Sequence, residues 1–139
     1  MVRNATLKDI PALLNLGLEL TSHLPVLPDK KKIKQLLTES ISNKGGFCQV
    51  SEADGKVIGG MVAISHEGLW FERRHCSILA LHSTNLWDMK RMLRNFEGWH
   101  LTRMGIKVIT TDFIVTARLS KFLKQGGMPP SNIQHILFK

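Results

Sequence analysis

Near the start of the chain, Ile10, Leu13, Leu14 and Leu18 are spaced so that they share one side of a helix. Thr6 or Asp9 can cap that helix, Pro11 fits in its opening turn where a missing N–H costs nothing, and the pattern carries to about Leu20. Pro25 and Pro28 then mark a loop. A second helix follows, with Asp29 as its cap, Ile33, Leu36, Leu37 and Ile41 as its apolar stripe, and Asn43 to Gly46 as its stop.

The rhythm then changes. Phe47 to Val50 and Lys56 to Ser65 read as strands, joined by Glu52-Ala53-Asp54-Gly55, in which Asp-Gly signals an antiparallel hairpin. A loop with Trp70, Phe71, Arg73 and Arg74 leads to a third strand, His75 to His82. From Leu86 the apolar positions Leu86, Met89, Leu93 and Phe96 return to helical spacing, with Asn85 and Asp88 as a capping pair and Gly105 as the close. Ile106 to Phe113 reads as a strand, Thr116 to Gln125 as a helix with Leu119, Phe122 and Leu123 inward, and Ile133 to Phe138 as a last strand.

The predicted order is therefore α-α-β-β-β-α-β-α-β, an antiparallel meander followed by a β-α-β crossover. It reads as one α+β domain over residues 1–139, sandwich-like, its mixed and mostly antiparallel sheet carrying helices on both faces. The crossover makes the strand ending at His82 parallel to Ile106–Phe113. The helix start at Asn85 then lies at the carboxyl end of that strand, where open sheets bind ligands.

Composition narrows the chemistry. With 43% hydrophobic and 22% charged residues, the chain should be folded throughout. Neither a membrane-length apolar run nor a signal sequence is present, which points to the cytoplasm and to no membrane partner. Cys48 and Cys76 lie in apolar strands and are expected to be buried free thiols. The six histidines show no metal-ligand spacing, and hydrolase, nucleotidase and dehydrogenase motifs are absent. A net charge of +8 favours anionic partners, although Lys30, Lys31, Lys32 and Lys34 suit the solvated face of a helix. Trp70, Phe71, Trp87, Phe96 and Trp99 are expected to pack in the core or at its rim rather than to stack on bases.

The opening Val2-Arg3-Asn4-Ala5-Thr6-Leu7-Lys8-Asp9-Ile10-Pro11 resembles the usual start of the GCN5-related N-acetyltransferase (GNAT) family, an arginine-x-alanine-threonine stretch that leads to an aspartate and a helix. Gly55-Lys56-Val57-Ile58-Gly59-Gly60 resembles that family's second hairpin strand, and Lys121 to Met128 its late helix-to-glycine signature. The resemblance spans essentially the whole chain. It implies acetyl-CoA as cofactor and a primary amine of a protein or small molecule as acceptor, the amine attacking the thioester directly. Ala80, Leu81 and His82 would hold the pantetheine arm through backbone groups. Ser83, Thr84 and Asn85 would meet the pyrophosphate at the helix start, with Lys90 adding positive charge beside Arg91 and Arg94. Thr116 and Phe122 of the late helix complete the expected cofactor-binding set, and His82 and Glu72 are the expected general bases, with His66 and Glu67 next.

Three departures bear on activity. The family's glycine-rich pyrophosphate turn is replaced by Ser83-Thr84-Asn85-Leu86-Trp87-Asp88-Met89-Lys90, where Leu86 and Trp87 are expected to crowd the phosphates and Asp88 to repel them. The chain has no tyrosine, so the late-helix thiolate acid of many members is missing. The short tail after Gly127 leaves room for one strand instead of two, as in small phage-encoded relatives, some of them virion or interaction proteins. The sequence thus supports an acetyltransferase first, an inactive GNAT-fold interaction or virion protein second, and a basic nucleic-acid binder third. A protein partner or a homodimer is compatible with the first two, and nucleic acid is the least favoured partner.

Overall fold

The computed structural model describes residues 1–22, 25, 27–43, 45–67, 74–102 and 108–111. The chain opens with a strand that the periodicity does not reveal, β1 (Val2–Asn4), followed by a single 3₁₀ turn at Leu7–Asp9. Three residues are too few to show a period of two. What fixes them is charge: Arg3 donates from Nη1 and Nη2 to both carboxylate oxygens of Asp9 at 2.8 and 2.9 Å, and from Nε to Glu52 at 2.8 Å. The Asp9 carboxylate also accepts the Thr6 backbone N–H at 2.7 Å. The arginine and aspartate of the opening stretch are therefore a clamp that ties β1 to the first helix.

That helix, α1 (Ile10–Thr21), and α2 (Lys30–Ser42) begin within a residue of where the capping residues place them, with the Asp29 carboxylate accepting the Lys32 N–H at 3.1 Å. β2 (Gly46–Ala53) and β3 (Lys56–Glu67) form the expected hairpin. Asp54 and Gly55 both have positive φ, at 52° and 74°, the turn that matches strand twist and that Asp-Gly tolerates best. β4 (Arg74–Ser83), α3 (Leu86–Thr102) and β5 (Val108–Thr111) complete the described elements. The sheet order is β1-β2-β3-β4-β5, antiparallel except for the β4–β5 pair, so the mixed α+β architecture read from the sequence holds. The predicted helix Thr116–Gln125 and strand Ile133–Phe138 lie outside the described residues.

Each face of the sheet has its own core. On one side α1 and α2 bury Ile10, Leu13 and Leu37 against Cys48, Val50 and Val62. On the other α3 buries Met89, Met92, Leu93 and Phe96 against Phe47, Met61, Cys76, Ile78 and Leu81. Phe96 meets Phe47 edge-on at 5.5 Å between centroids, and half-buried Trp99 packs on both rings, as a core reading of these aromatics requires. Both cysteines are free and buried; burial pushes the Cys48 thiol up to about 11 and the Cys76 thiol up to about 12, so neither is a nucleophile. Lys30, Lys31, Lys32 and Lys34 are all exposed.

Hydrogen bonding to Arg3 holds the Asp9 carboxyl at about 2, below its ordinary 3.8. Its contribution is therefore complete above pH 3.8 and is lost as pH falls through about 2. Asp9→Asn should cost ~1–2 kcal/mol at pH 7 in urea unfolding, a value discounted for the solvent around Arg3, and the gap to wild type should close in acid. Equal midpoints at pH 7 would remove the clamp from the account. Gly17 sits within α1 with nothing within 4 Å of an added Cβ, so Gly17→Ala should gain ~0.5–1 kcal/mol in the same assay.

Candidate functional site at the end of β4

β4 is irregular where the site residues begin. Ile78 faces Ala63 and Ala80 faces Val62, so Leu79 has no residue opposite it on β3 and forms a bulge. The parallel ladder to β5 runs from His75↔Val108 to Ile78↔Thr111, just short of this bulge. Beyond it, the β5-side edge of Ala80 to Ser83 has no strand partner among the described residues. A bulge adds local bend and twist to β4 at this point.

The side chains past the bulge divide by face. Leu81 is buried in the α3-side core, leaving only its backbone for a ligand. Ala80 is exposed and His82 half-buried, and strand alternation puts both on the α1 face, His82 beside Gly60 in register. Gly60 lies close to α1, since a Cβ there would stand 2.7 Å from a Leu13 methyl. Desolvation lowers the His82 imidazole below its ordinary 6.5, so it is neutral at pH 7 and able to accept a proton. Gly59 permits the close packing of β3 on the end of β4: a Cβ there would overlap the His82 carbonyl oxygen and come within 2.5 Å of the Ser83 Cα.

The start of α3 differs from the sequence expectation in two ways. Asp88 does not stand at the surface: it is only 8% exposed and turns down onto the sheet. Its Oδ2 accepts Ser51 Oγ at 2.5 Å, Ser51 in turn accepts Ser83 Oγ at 3.1 Å, and Ser83 accepts the Asn85 N–H at 3.0 Å. The Met1 ammonium lies 3.4 Å from the same oxygen. Asp88 is thus no reciprocal cap of Asn85, whose own Oδ1 caps the helix by accepting the Trp87 N–H at 3.0 Å. The second correction concerns Trp87, which packs neither in the core nor at its rim. It is 77% exposed, with the Lys90 ammonium 5.0 Å from its ring centroid.

Thr84 is exposed and donates its N–H to the Ile58 carbonyl at 3.4 Å, and Asn85 and Lys90 are exposed as well. The amides of Leu86 and Asp88 have no acceptor among the described residues, and they point where the helix carries its partial positive charge. The structure therefore brings Ala80 to Asn85 and Lys90 together at one end of β4. Glu72, Thr116 and Phe122 lie outside the described residues, as do the side chains of His66 and Glu67. Sequence reasoning missed Ser51 and Gly59. An isolated serine carries no signal, but the Gly59-Gly60 pair inside a strand pattern marks a close backbone approach.

No protein-family model matches the chain, and no curated protein is similar to it in sequence. Solved structures match it along its whole length. A predicted acetyltransferase of Clostridium acetobutylicum, crystallised with acetyl-CoA, superposes with TM-score 0.77 at 14% identity over 99% of this chain and 95% of that one. An aminoglycoside acetyltransferase from an uncultured soil metagenomic sample, in complex with trehalose, gives 0.65 at 13% over 100% and 93%. A transcriptional regulator of Bacillus halodurans gives 0.70 at 14% over 100% and 97%. At such identities the likeness establishes the fold, and it is the GNAT fold.

Ser51→Ala should cost ~1–3 kcal/mol in urea unfolding, since it leaves the buried Asp88 carboxylate without its closest donor and Ser83 without its acceptor. Adding Asp88→Asn should cost less than the sum of the two single changes. Strict additivity would mean that the hydroxyl and carboxylate are not coupled.

Proposed function

We propose that this protein is an acetyl-CoA-dependent N-acetyltransferase acting on a primary amine of a protein or small molecule. The observation that carries the reading is the course of β4, which bulges at Leu79 just past its last described pairing with β5 and leads directly to a helix N-terminus with two amides unclaimed among the described residues. The edge of Ala80 to Ser83, without a strand partner among the described residues, suits an amide-containing arm, which it would meet by strand-like hydrogen bonding. The amides of Leu86 and Asp88, with Lys90 nearby, suit a pyrophosphate. Ser83 and Asp88 are engaged with Ser51 beneath this opening and do not stand in it.

Acetyl-CoA would supply the thioester carbonyl. His82, neutral at pH 7, would take the proton released as the amine attacks, and the backbone beyond the bulge would orient the arm. With no tyrosine in the chain, the thiolate leaves without the family's usual acid. The competing reading is an inactive interaction domain. It is favoured by the two amides already claimed at this helix start, those of Asn85 and Trp87.

Calorimetric titration with acetyl-CoA and desulfo-CoA, followed by thiol release with a panel of amines, separates the two. Micromolar binding and amine-dependent turnover are expected, with an acid limb below pH 6.5 because burial lowers the His82 imidazole. His82→Ala should reduce kcat by about 10²-fold or more. No heat with either ligand would overturn the enzyme reading and leave the interaction domain.

A further inference from the structure

Trp87, Lys90, Arg91 and Arg94 follow the three-and-four spacing that aligns side chains along one helix face, and all four are exposed. The opposite face carries the buried Met89, Met92, Leu93 and Phe96. An indole that is 77% exposed is a costly feature for a surface, and this one is held by the Lys90 ammonium on one ring face, which leaves the other to solvent. None of the three cations makes an ion pair among the described residues. The nearest carboxylate on the stripe is Glu97, beyond Arg94, while Asp88 is buried in its serine network. The face therefore offers one flat apolar ring flanked by positive charge free to meet an anion.

We propose that this stripe binds the nucleotide end of the cofactor, the adenosine 3′,5′-bisphosphate moiety, with the adenine on the open face of Trp87 and the phosphates against Lys90, Arg91 and Arg94. The inference rests on the acetyl-CoA reading and names how the site keeps its ligand without a glycine turn. A pyrophosphate at the Leu86 and Asp88 amides lies within about one helical turn, ~5.4 Å, of this stripe, so the adjoining nucleoside reaches it without distortion. A single base is the occupant that fits. Surfaces for single-stranded nucleic acid use successive aromatic platforms. Here Phe96 is buried and Trp99 packs on Phe47, which leaves one exposed ring among the described residues of α3.

The test compares wild type, Trp87→Ala and Lys90→Ala by calorimetry against three probes: acetyl-CoA, S-acetylpantetheine, which lacks the nucleotide, and adenosine 3′,5′-bisphosphate alone. Trp87→Ala should weaken acetyl-CoA and the bisphosphate about tenfold, in the lower range of one base–aromatic contact, and leave S-acetylpantetheine unchanged. Lys90→Ala should weaken the same two probes and steepen neither with salt, since a cation is lost. Acetyl-CoA binding that is equal in wild type and Trp87→Ala would overturn the stripe while the acetyltransferase reading stands. Loss of affinity for all three probes in Trp87→Ala would also overturn it, because a general disturbance of the site has no preference for the nucleotide. If wild type binds neither thioester, the acetyltransferase reading fails first. Tighter binding of a single-stranded oligonucleotide than of the bisphosphate would reassign the stripe to nucleic acid and overturn the proposal.

Discussion

A carboxylate taken out of water is expensive unless its oxygens are hydrogen-bonded, and Asp88 meets that condition through a chain of two serines. The Ser51 and Ser83 hydroxyls each donate to one group and accept from another, so the chain from the Asn85 amide to the Asp88 oxygen has a single direction. It links three elements that are remote in sequence: β2 through Ser51, the last residue of β4 through Ser83, and the first turn of α3 through Asp88. Because the third helical residue is pulled down onto the sheet, the helix is fixed in rotation about its axis. Met89 and Met92 must then enter the core, and Trp87, Lys90, Arg91 and Arg94 must face out. The exposed indole is a consequence of where the carboxylate goes.

The same end of β4 answers a second demand. Its neighbour β3 packs against it through Gly59, where any side chain would strike the His82 carbonyl, while a bulge at Leu79 interrupts the β3–β4 register. Leu79 itself packs against the α1–α2 core, and Leu81 two residues on against the α3 core, so β4 is held from both faces through the bend. A strand gripped in this way resists fraying through apolar burial on its two faces as well as through its ladder hydrogen bonds. A rigid setting of this kind is what a site built from backbone groups needs.

Much of this frame was legible in the residues. Asp-Gly set the β2–β3 turn, Asp29 the start of α2, and the shift from period two to period 3.6 after His82 the start of α3. β1 was not, since three residues show no period and its place depends on Arg3 finding Asp9 and Glu52 in space. The opening arginine-to-aspartate stretch did carry that information, but as a resemblance whose physical cause appears only in the clamp. The site was half legible. Its location followed from topology, whereas the direction of Asp88 did not, because a carboxylate at the third helical position can reach back to a cap or down to the sheet, and only Ser51, 37 residues away, decides between them. Trp87 was misjudged for the same reason: composition says that tryptophan is mostly buried, and the rotation imposed by Asp88 says otherwise.

On the acetyltransferase reading, the missing tyrosine and the half-buried histidine can be weighed against each other. A thiol such as that of CoA has an ordinary pKa of about 8.5, so near neutral pH its anion is a tolerable leaving group and a missing acid costs little. A primary ammonium of the lysine kind titrates near 10.4, so at pH 7 roughly one molecule in 10³ has the free pair of electrons that attacks. The larger barrier is thus removal of the acceptor's proton, and a site that keeps one group should keep the base. Burial pushes His82 below 6.5, which by itself makes it a poorer match for an ammonium in water. The same desolvation acts on an ammonium brought beside it, however, and lowers that pKa too, because both lose hydration of a cation. Desolvation of the acceptor therefore offsets part of the mismatch that burial of His82 creates.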